Sequence, residues 1–240
     1  MKNTIIPNPR NSCKDLWNAY MLMNAQYGSY DIPFCQTTAC NAPMRLISYK
    51  DAKTLYLREM RNGNHHFHCA AMIHFYIDDQ FFDGHQNGIW SKPDDLLRIC
   101  THFDGIITPD FSTYLDFPAP LKIWNTFRMR TLGVWLGSAG IPVINNVRWG
   151  ASETWPYCFD GLPEESIYAI GTVASNLKNP FYRDIFITGL THMVDTLNPR
   201  SLIIYGSRNL GIFDELEKAG IQIIHFRSDT NSYFEEVKEK

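Results

Sequence analysis

Short apolar runs recur along the chain, most closing on a polar residue or Gly and all but the last leading on toward a stretch with helical spacing. The runs are Leu46-Ile47, Phe67–Ile77, Gly105–Thr108, Pro142–Val147, Ile167–Ile170, Leu202–Tyr205 and Ile221–Phe226. Helical periodicity falls on Lys50–Met60, Pro93–Cys100, residues 121–139, residues 180–197 and Ile212–Ala219. Local signals agree with these boundaries. Ser48 and Asp51 have the spacing of an N-cap pair, Pro93 and Pro180 sit where a first helical turn tolerates proline, and Gly140 and Gly220 follow helix ends. A shorter helix is expected near Ser152–Trp155.

The runs are nearly continuous in apolar residues rather than alternating. That pattern belongs to parallel strands covered on both faces. The sequence therefore predicts an α/β fold of roughly seven alternating strand–helix units around a parallel sheet. The even repeat, with no Gly-rich dinucleotide fingerprint after the first strands, favours a TIM-barrel-like arrangement. An open doubly wound sheet is the alternative. Residues 1–43 stand apart as an N-terminal helix and surface loop, residues 44–230 form the α/β domain, and residues 231–240 are a charged, frayed tail. Within the first segment, Leu16, Tyr20 and Met23 share the predicted apolar face of a helix over Asp15–Tyr27, and Ile32–Pro43 reads as a loop crossing the surface.

Along the longest helix, Leu121, Trp124, Phe127, Val134 and Trp135 make the predicted buried stripe. Aromatic content is 14%, enough that some rings are candidates to line a cleft as well as a core. Net charge is −3, so no global basic field draws a nucleic-acid backbone. Nucleic acid is not expected as a main partner, and a replication or DNA-processing accessory is the weakest of the functional readings. No run of about 18 apolar residues predicts a membrane span. The N-terminal stretch lacks the apolar core of a secretory signal, so the expected location is cytoplasmic, with reduced thiols. Cys35 and Cys40 have no second close pair, and of His65, His66, His68 and Cys69 at most two converge on an extended chain, so neither group reads as a zinc site.

Chemistry is expected where parallel strands end, because ligands gather there in both architectures. The residues at and just past the ends of the runs are Asp78 and Asp79, Asp110 and Ser112, Asn145, Asn146 and Arg148, Gly171 and Thr172, Gly206 and Ser207, and His225. Asp78 and Asp79 are adjacent, so one of them faces inward, with Asp78 the favoured candidate beside Asp110. Two carboxylates there would suit acid–base work or a hydrated Mg²⁺. Gly171-Thr172 and Gly206-Ser207 repeat one pattern of small residue, hydroxyl and following helix, which suits a phosphate. Arg148 adds a bidentate anion clamp, and Trp149 offers a ring to stack on a base or sugar. The expected catalytic or metal pair is thus Asp78 and Asp110, and the expected ligand-binding set is Asn146, Arg148, Trp149, Gly171, Thr172, Gly206 and Ser207.

IHFYIDDQFFDG (73–84), GIITPDFSTYLDFPAPLKIWN (105–125), GIPVINNVRWG (140–150), CFDGLPEESIYAIGTVAS (158–175) and LIIYGS (202–207) together resemble a domain-of-unknown-function family, number 4417, found in phages, mobile elements and bacteria. TPDFS and INNVRWG are the most specific of these stretches. The resemblance implies a single cytoplasmic domain carried on a phage or integrated element, and implies no reaction. Two functional expectations follow from the residues. One is an α/β protein that binds, and in an enzymatic form hydrolyses, a phosphate-bearing ligand such as a nucleotide. The other is a non-catalytic binder of a host nucleotide or host protein.

Overall fold

The computed structural model describes residues 15–84 and 88–228. Its strands are β1 (Leu46–Ser48), β2 (Cys69–His74), β3 (Phe103–Ile107), β4 (Val143–Asn146), β5 (Ile167–Gly171), β6 (Ser201–Tyr205) and β7 (Gln222–Phe226). Its helices are α1 (Tyr49–Arg61), α2 (Pro93–Cys100), α3 (Ala119–Ser138), α4 (Trp155–Cys158), α5 (Pro180–Leu197) and α6 (Gly211–Lys218). The caps behave as the sequence indicates. Ser48 Oγ accepts from the Asp51 amide at 3.2 Å, and Asn179 Oδ1 accepts from the Phe181 amide at 3.0 Å.

All seven strands are parallel, and each pairs with the next in sequence. A doubly wound sheet reverses strand order at a switch point. This order never reverses, so the sheet curls in one sense into a half-barrel. Among the described residues β1 and β7 do not pair, and the curl stays open.

Side chains alternate cleanly between the two faces, and both faces are apolar. Met72, Ile107, Ile144, Ala169, Ile203 and Tyr205 belong to the inner cluster. Their outward neighbours join two outer clusters: Ile73, Ile106 and Val143 pack with α1, α2 and α3, while Tyr168, Ile170, Leu202 and Ile204 pack with α5 and α6. One apolar run thus serves two layers, which explains why the strands show no alternation in sequence.

The segment before β1 is not the surface loop that its polarity suggests. Ile32 and Cys35 are fully buried. Cys35 packs in the outer layer, whereas Ala39 and Ala42 pack on the inner cluster. Between them the chain passes the splayed lower ends of β4 and β5, which pair only through Asn145–Tyr168 and Asn146–Ala169. The Val143 carbonyl there accepts from the Thr38 and Ala39 amides at 3.0 and 3.1 Å, and Thr38 Oγ1 accepts from the Val143 amide at 2.8 Å. Backbone groups that β5 would otherwise satisfy are satisfied by this inserted segment. Two of these bonds come from main-chain amides of the segment, and the Thr38 hydroxyl supplies the third.

Two helical expectations are corrected. Between Asp15 and Tyr27 only a 3₁₀ turn forms, Ala19–Leu22, bracketed by Asn18 and Asn24 in left-handed conformations. Those two residues stop an α-helix. Leu16, Tyr20 and Met23 are exposed, and Ala19, Met21 and Leu22 are the buried side. In α3 the predicted stripe is likewise not the most buried face. Leu121 is exposed and Trp124, Phe127, Val134 and Trp135 are only partly covered, whereas Lys122, Asn125, Arg128, Arg130 and Thr131 are buried alongside Met129, Leu132 and Leu136. The outer rings are shielded by other aromatics, Tyr20 edge-on to Trp135 and Trp90 edge-on to Trp124. The inner face is polar because the strand-end loops present carbonyl and carboxylate groups to it.

Candidate functional site

The turn after β3, Thr108–Leu115, is held from behind by α3. Lys122 Nζ donates to the Leu115 carbonyl at 2.9 Å, and Asn125 Nδ2 donates to the Ser112 carbonyl. Arg128 forms a fork with both oxygens of Asp83, at 2.6 and 2.9 Å, and its guanidinium lies 3.9 Å from the Phe111 ring centre. Asp79 Oδ2 in turn accepts from the Ser112 amide at 3.2 Å. The loop is therefore clamped by groups three residues apart on one helix, a spacing that places them on one side.

Asp110, at the head of this turn, divides its two oxygens. Oδ1 accepts from Asn146 Nδ2 at 2.8 Å and Oδ2 accepts from Arg148 at 2.6 Å. Asn146 Oδ1 accepts from the Tyr76 hydroxyl at 3.0 Å, its amide N–H donates to Thr108 Oγ1, and its carbonyl accepts from Arg130. Arg130 is fully buried and also reaches the Cys158 carbonyl at 3.0 Å. The ends of β2, β3 and β4 are thereby joined by one hydrogen-bonded network under the rim.

Two cavities adjoin this network, of about 280 and 300 Å³. Asp110, Arg148, Tyr114 and Ala174 line both. The first is otherwise walled by neutral residues, among them Trp149, Gly171, Ser175, Tyr182 and Phe186. Asp78, Asp79, Tyr76 and Ser112 are on the wall of the second. Burial pushes the Asp79 carboxyl above the usual carboxylate range, and the like charges of Asp110 and Asp83 add to the rise, against hydrogen bonds from Ser112 that oppose it.

The family model described as a domain of unknown function, DUF4417, matches residues 24–227. The chain belongs to this family. Two similar curated proteins are phage proteins, each called Gene 1 protein. The one from Mycobacterium phage D29 is 29% identical over 189 residues, covering 76% of this chain and 68% of the relative. The one from Mycobacterium phage L5 is 33% identical over 154 residues, covering 63% of this chain and 65% of the relative. No solved structure matches the chain. The DUF4417 match takes in all seven strands and every residue lining the two cavities. Among the described residues no helix is long and apolar enough to cross a membrane.

Within this DUF4417 domain the structure brings together Asp78, Asp110, Asn146, Arg148, Trp149 and Gly171 at the C-terminal strand ends. Trp149 is wedged against α5, where a Cβ on Gly189 would stand 2.1 Å from the indole Cδ1. A Cβ on Gly171 would meet Tyr76 at 2.6 Å, so glycine there serves ring packing beside the cavity. Thr172, Gly206 and Ser207 lie outside the two linings. The Thr172 hydroxyl faces the Ser207 carbonyl at 3.0 Å, Ser207 Oγ accepts from the Asn209 amide at 3.2 Å, and the Gly206 carbonyl bonds His225. The first contact ties the β5 turn to the β6 turn, the second lies within the β6 turn, and the third ties that turn to β7.

The Asp110 oxygens accept from Asn146 and Arg148, so a cation bound directly there would stand beside the Arg148 guanidinium and compete with it. Asp78 is exposed on the edge of the second cavity, and Asp79 is the more enclosed of the pair. Among the described residues no three His, Cys, Asp or Glu side chains converge as a metal site. Residues that sequence reasoning passed over are Tyr76, Tyr114, Tyr182 and the polar face of α3. The one signal for the last is the three-residue spacing of Lys122, Asn125 and Arg128 in a helix that otherwise reads as apolar.

Proposed function

We propose that this rim binds a phosphate-bearing small ligand, most simply a nucleotide, with Arg148 as the anion clamp. The observation that carries the reading is the position of Arg148: it walls both cavities while one of its N–H groups is held by Asp110 at 2.6 Å. Its orientation is thus fixed before any ligand arrives, and its remaining N–H groups have no protein partner among the described residues. The first cavity supplies flat apolar surface from Tyr114, Trp149, Tyr182 and Phe186, which suits a base. The first turn of α5 contributes Tyr182 to the same wall, and a helix N-terminus favours negative charge.

On this reading the protein acts in the host cytoplasm as a binder, taking a host nucleotide out of circulation. Hydrolysis is the second reading, favoured by Asp79 on the wall of the second cavity, where burial raises its carboxyl above the usual carboxylate range, as acid–base groups in clefts often are. Thermal-shift titration against nucleosides, nucleotides and inorganic phosphate tests the proposal. Nucleotides are expected to raise the melting temperature of the wild type, while Arg148→Gln and Tyr182→Ala lose the shift. Equal shifts in the wild type and both variants, or no shift with any nucleotide, would overturn it and leave docking on a host protein as the account of the surface. Mass spectrometry of the recovered ligand, with and without Mg²⁺, separates binding from turnover.

A further inference from the structure

Resting on the reading of the rim as a nucleotide site, we infer that its ligand is a nucleoside diphosphate carrying a sugar or similar uncharged polyol on the outer phosphate, in preference to a nucleoside triphosphate. The geometry behind this is a pair of unlike chambers with one common wall. Asp110, Tyr114, Arg148 and Ala174 border both. At about 280 and 300 Å³, each chamber sits at the small end of the range for ligand pockets. A ligand in two parts joined over Arg148 fills both, and neither chamber holds it all.

The charges assign the parts. Apart from the shared Asp110 and Arg148, the first chamber has no charged lining, and its aromatic side chains suit a base. The second is bordered by Asp78, Asp79 and Asp110 against the single guanidinium of Arg148. One of those carboxylates already neutralises that guanidinium. Asp78 is left with no cation in this lining to offset it, so a further phosphate pushed into the chamber meets like charge, which is costly. Carboxylates are acceptors only, so what they recognise is a donor. Vicinal hydroxyls of a sugar donate to them without bringing charge. The pyrophosphate linking the two parts then lies over Arg148, whose N–H groups not held by Asp110 are donors that both chambers share.

Isothermal titration of the full chain with ADP-ribose, UDP-glucose, ADP, UDP, ATP and UTP tests this. At least one diphosphate sugar is expected to bind about tenfold more tightly than the triphosphate of the same base, and more tightly than the diphosphate alone. Asp78→Asn should narrow the gap by relieving the repulsion of the triphosphate. Asp78 is exposed and its contact with Gln80 Nε2 is 3.5 Å long, so the fold does not depend on it. Triphosphates that bind as tightly as the diphosphate sugars, or a gap unmoved by Asp78→Asn, would overturn the inference while leaving a nucleotide site standing. Failure of every nucleotide to bind would remove both.

Discussion

Asn146 Nδ2 donates to Asp110 Oδ1 across 2.8 Å, joining the end of β4 to the turn after β3. With the Tyr76 hydroxyl on its Oδ1, both ends of the Asn146 amide are committed, and its orientation is determined by its partners. Asn146→Asp keeps the shape and places a second carboxylate against the first. It should cost about 3 kcal/mol of stability at neutral pH, because a buried charge is left uncompensated. Chemical denaturation checks this, and the deficit should shrink as the pH falls and the new pair takes up a proton.

His74 lies buried at the end of β2, its ring centre 4.3 Å from that of Tyr205 and its Nδ1 accepting from the Tyr76 amide. Burial lowers its pKa from 6.5 to about 4, with Asp51 acting in the opposite sense. The unfolded chain therefore binds a proton that the folded one refuses between those values. Stability attributable to His74 is full above the unfolded value and is lost as the pH falls toward 4, by about 3 kcal/mol in total. His74→Phe keeps the ring packing and removes the titration. Denaturation midpoints of that variant should vary less between pH 7 and 4 than those of the wild type.

Asp79 works in the opposite direction. Its carboxyl is raised by burial first and by the charges of Asp110 and Asp83 next, so the folded state prefers the protonated form. The penalty is absent below the usual value of 3.8 and grows as the pH climbs through the raised one. Asp79→Asn retains an oxygen for the Ser112 amide and should melt higher than wild type at pH 7. That advantage should vanish near pH 3, a comparison that differential scanning calorimetry makes directly.

Gly133 on α3 faces the segment inserted between β4 and β5. A Cβ there would stand 2.4 Å from Cys35 Sγ and 2.8 Å from Thr108 Cγ2. Alanine is ordinarily favoured over glycine within a helix by about 1 kcal/mol, but overpacking should override this and destabilise Gly133→Ala by about 2 kcal/mol. Adding Cys35→Ala should recover part of the loss. A double variant no more stable than Gly133→Ala would show that the crowding lies elsewhere.

Arg128→Lys tests how the loop after β3 is held. Lysine cannot reproduce the fork to Asp83 together with the contact to Asn125 and the stack on Phe111. A loss of about 2 kcal/mol is expected, most of it from the charge-assisted pair. Proteolysis within residues 110–117 should quicken if the clamp governs loop order.

The strands and most helices were legible because their signals are local: apolar runs of strand length, Ser48 and Asn179 as caps, and Gly140 and Gly220 after helix ends. The gathering of polar residues at one rim was legible for the same reason, since parallel strands deliver whatever follows them to one end of the sheet. Asp78, Asp110, Asn146, Arg148, Trp149 and Gly171 all reach it. What failed was partner choice. Thr172 and Ser207 look like anion ligands beside a glycine, yet the Thr172 hydroxyl turns to the Ser207 carbonyl at the next strand end in sequence. The face of α3 could not be chosen from periodicity, because polar and apolar residues interleave and either side finds partners.

By itself the sequence determined seven parallel segments, their order of appearance and the rim on which their polar ends gather, because each rests on interactions a few residues long. Tertiary structure alone decided that the sheet curls without a reversal of order, that Cys35–Ala42 passes from the outer layer to the inner one, and that Lys122, Asn125 and Arg128 turn inward. Those outcomes depend on which distant backbone groups would otherwise be buried without a partner, and that is set only when all the layers are in place.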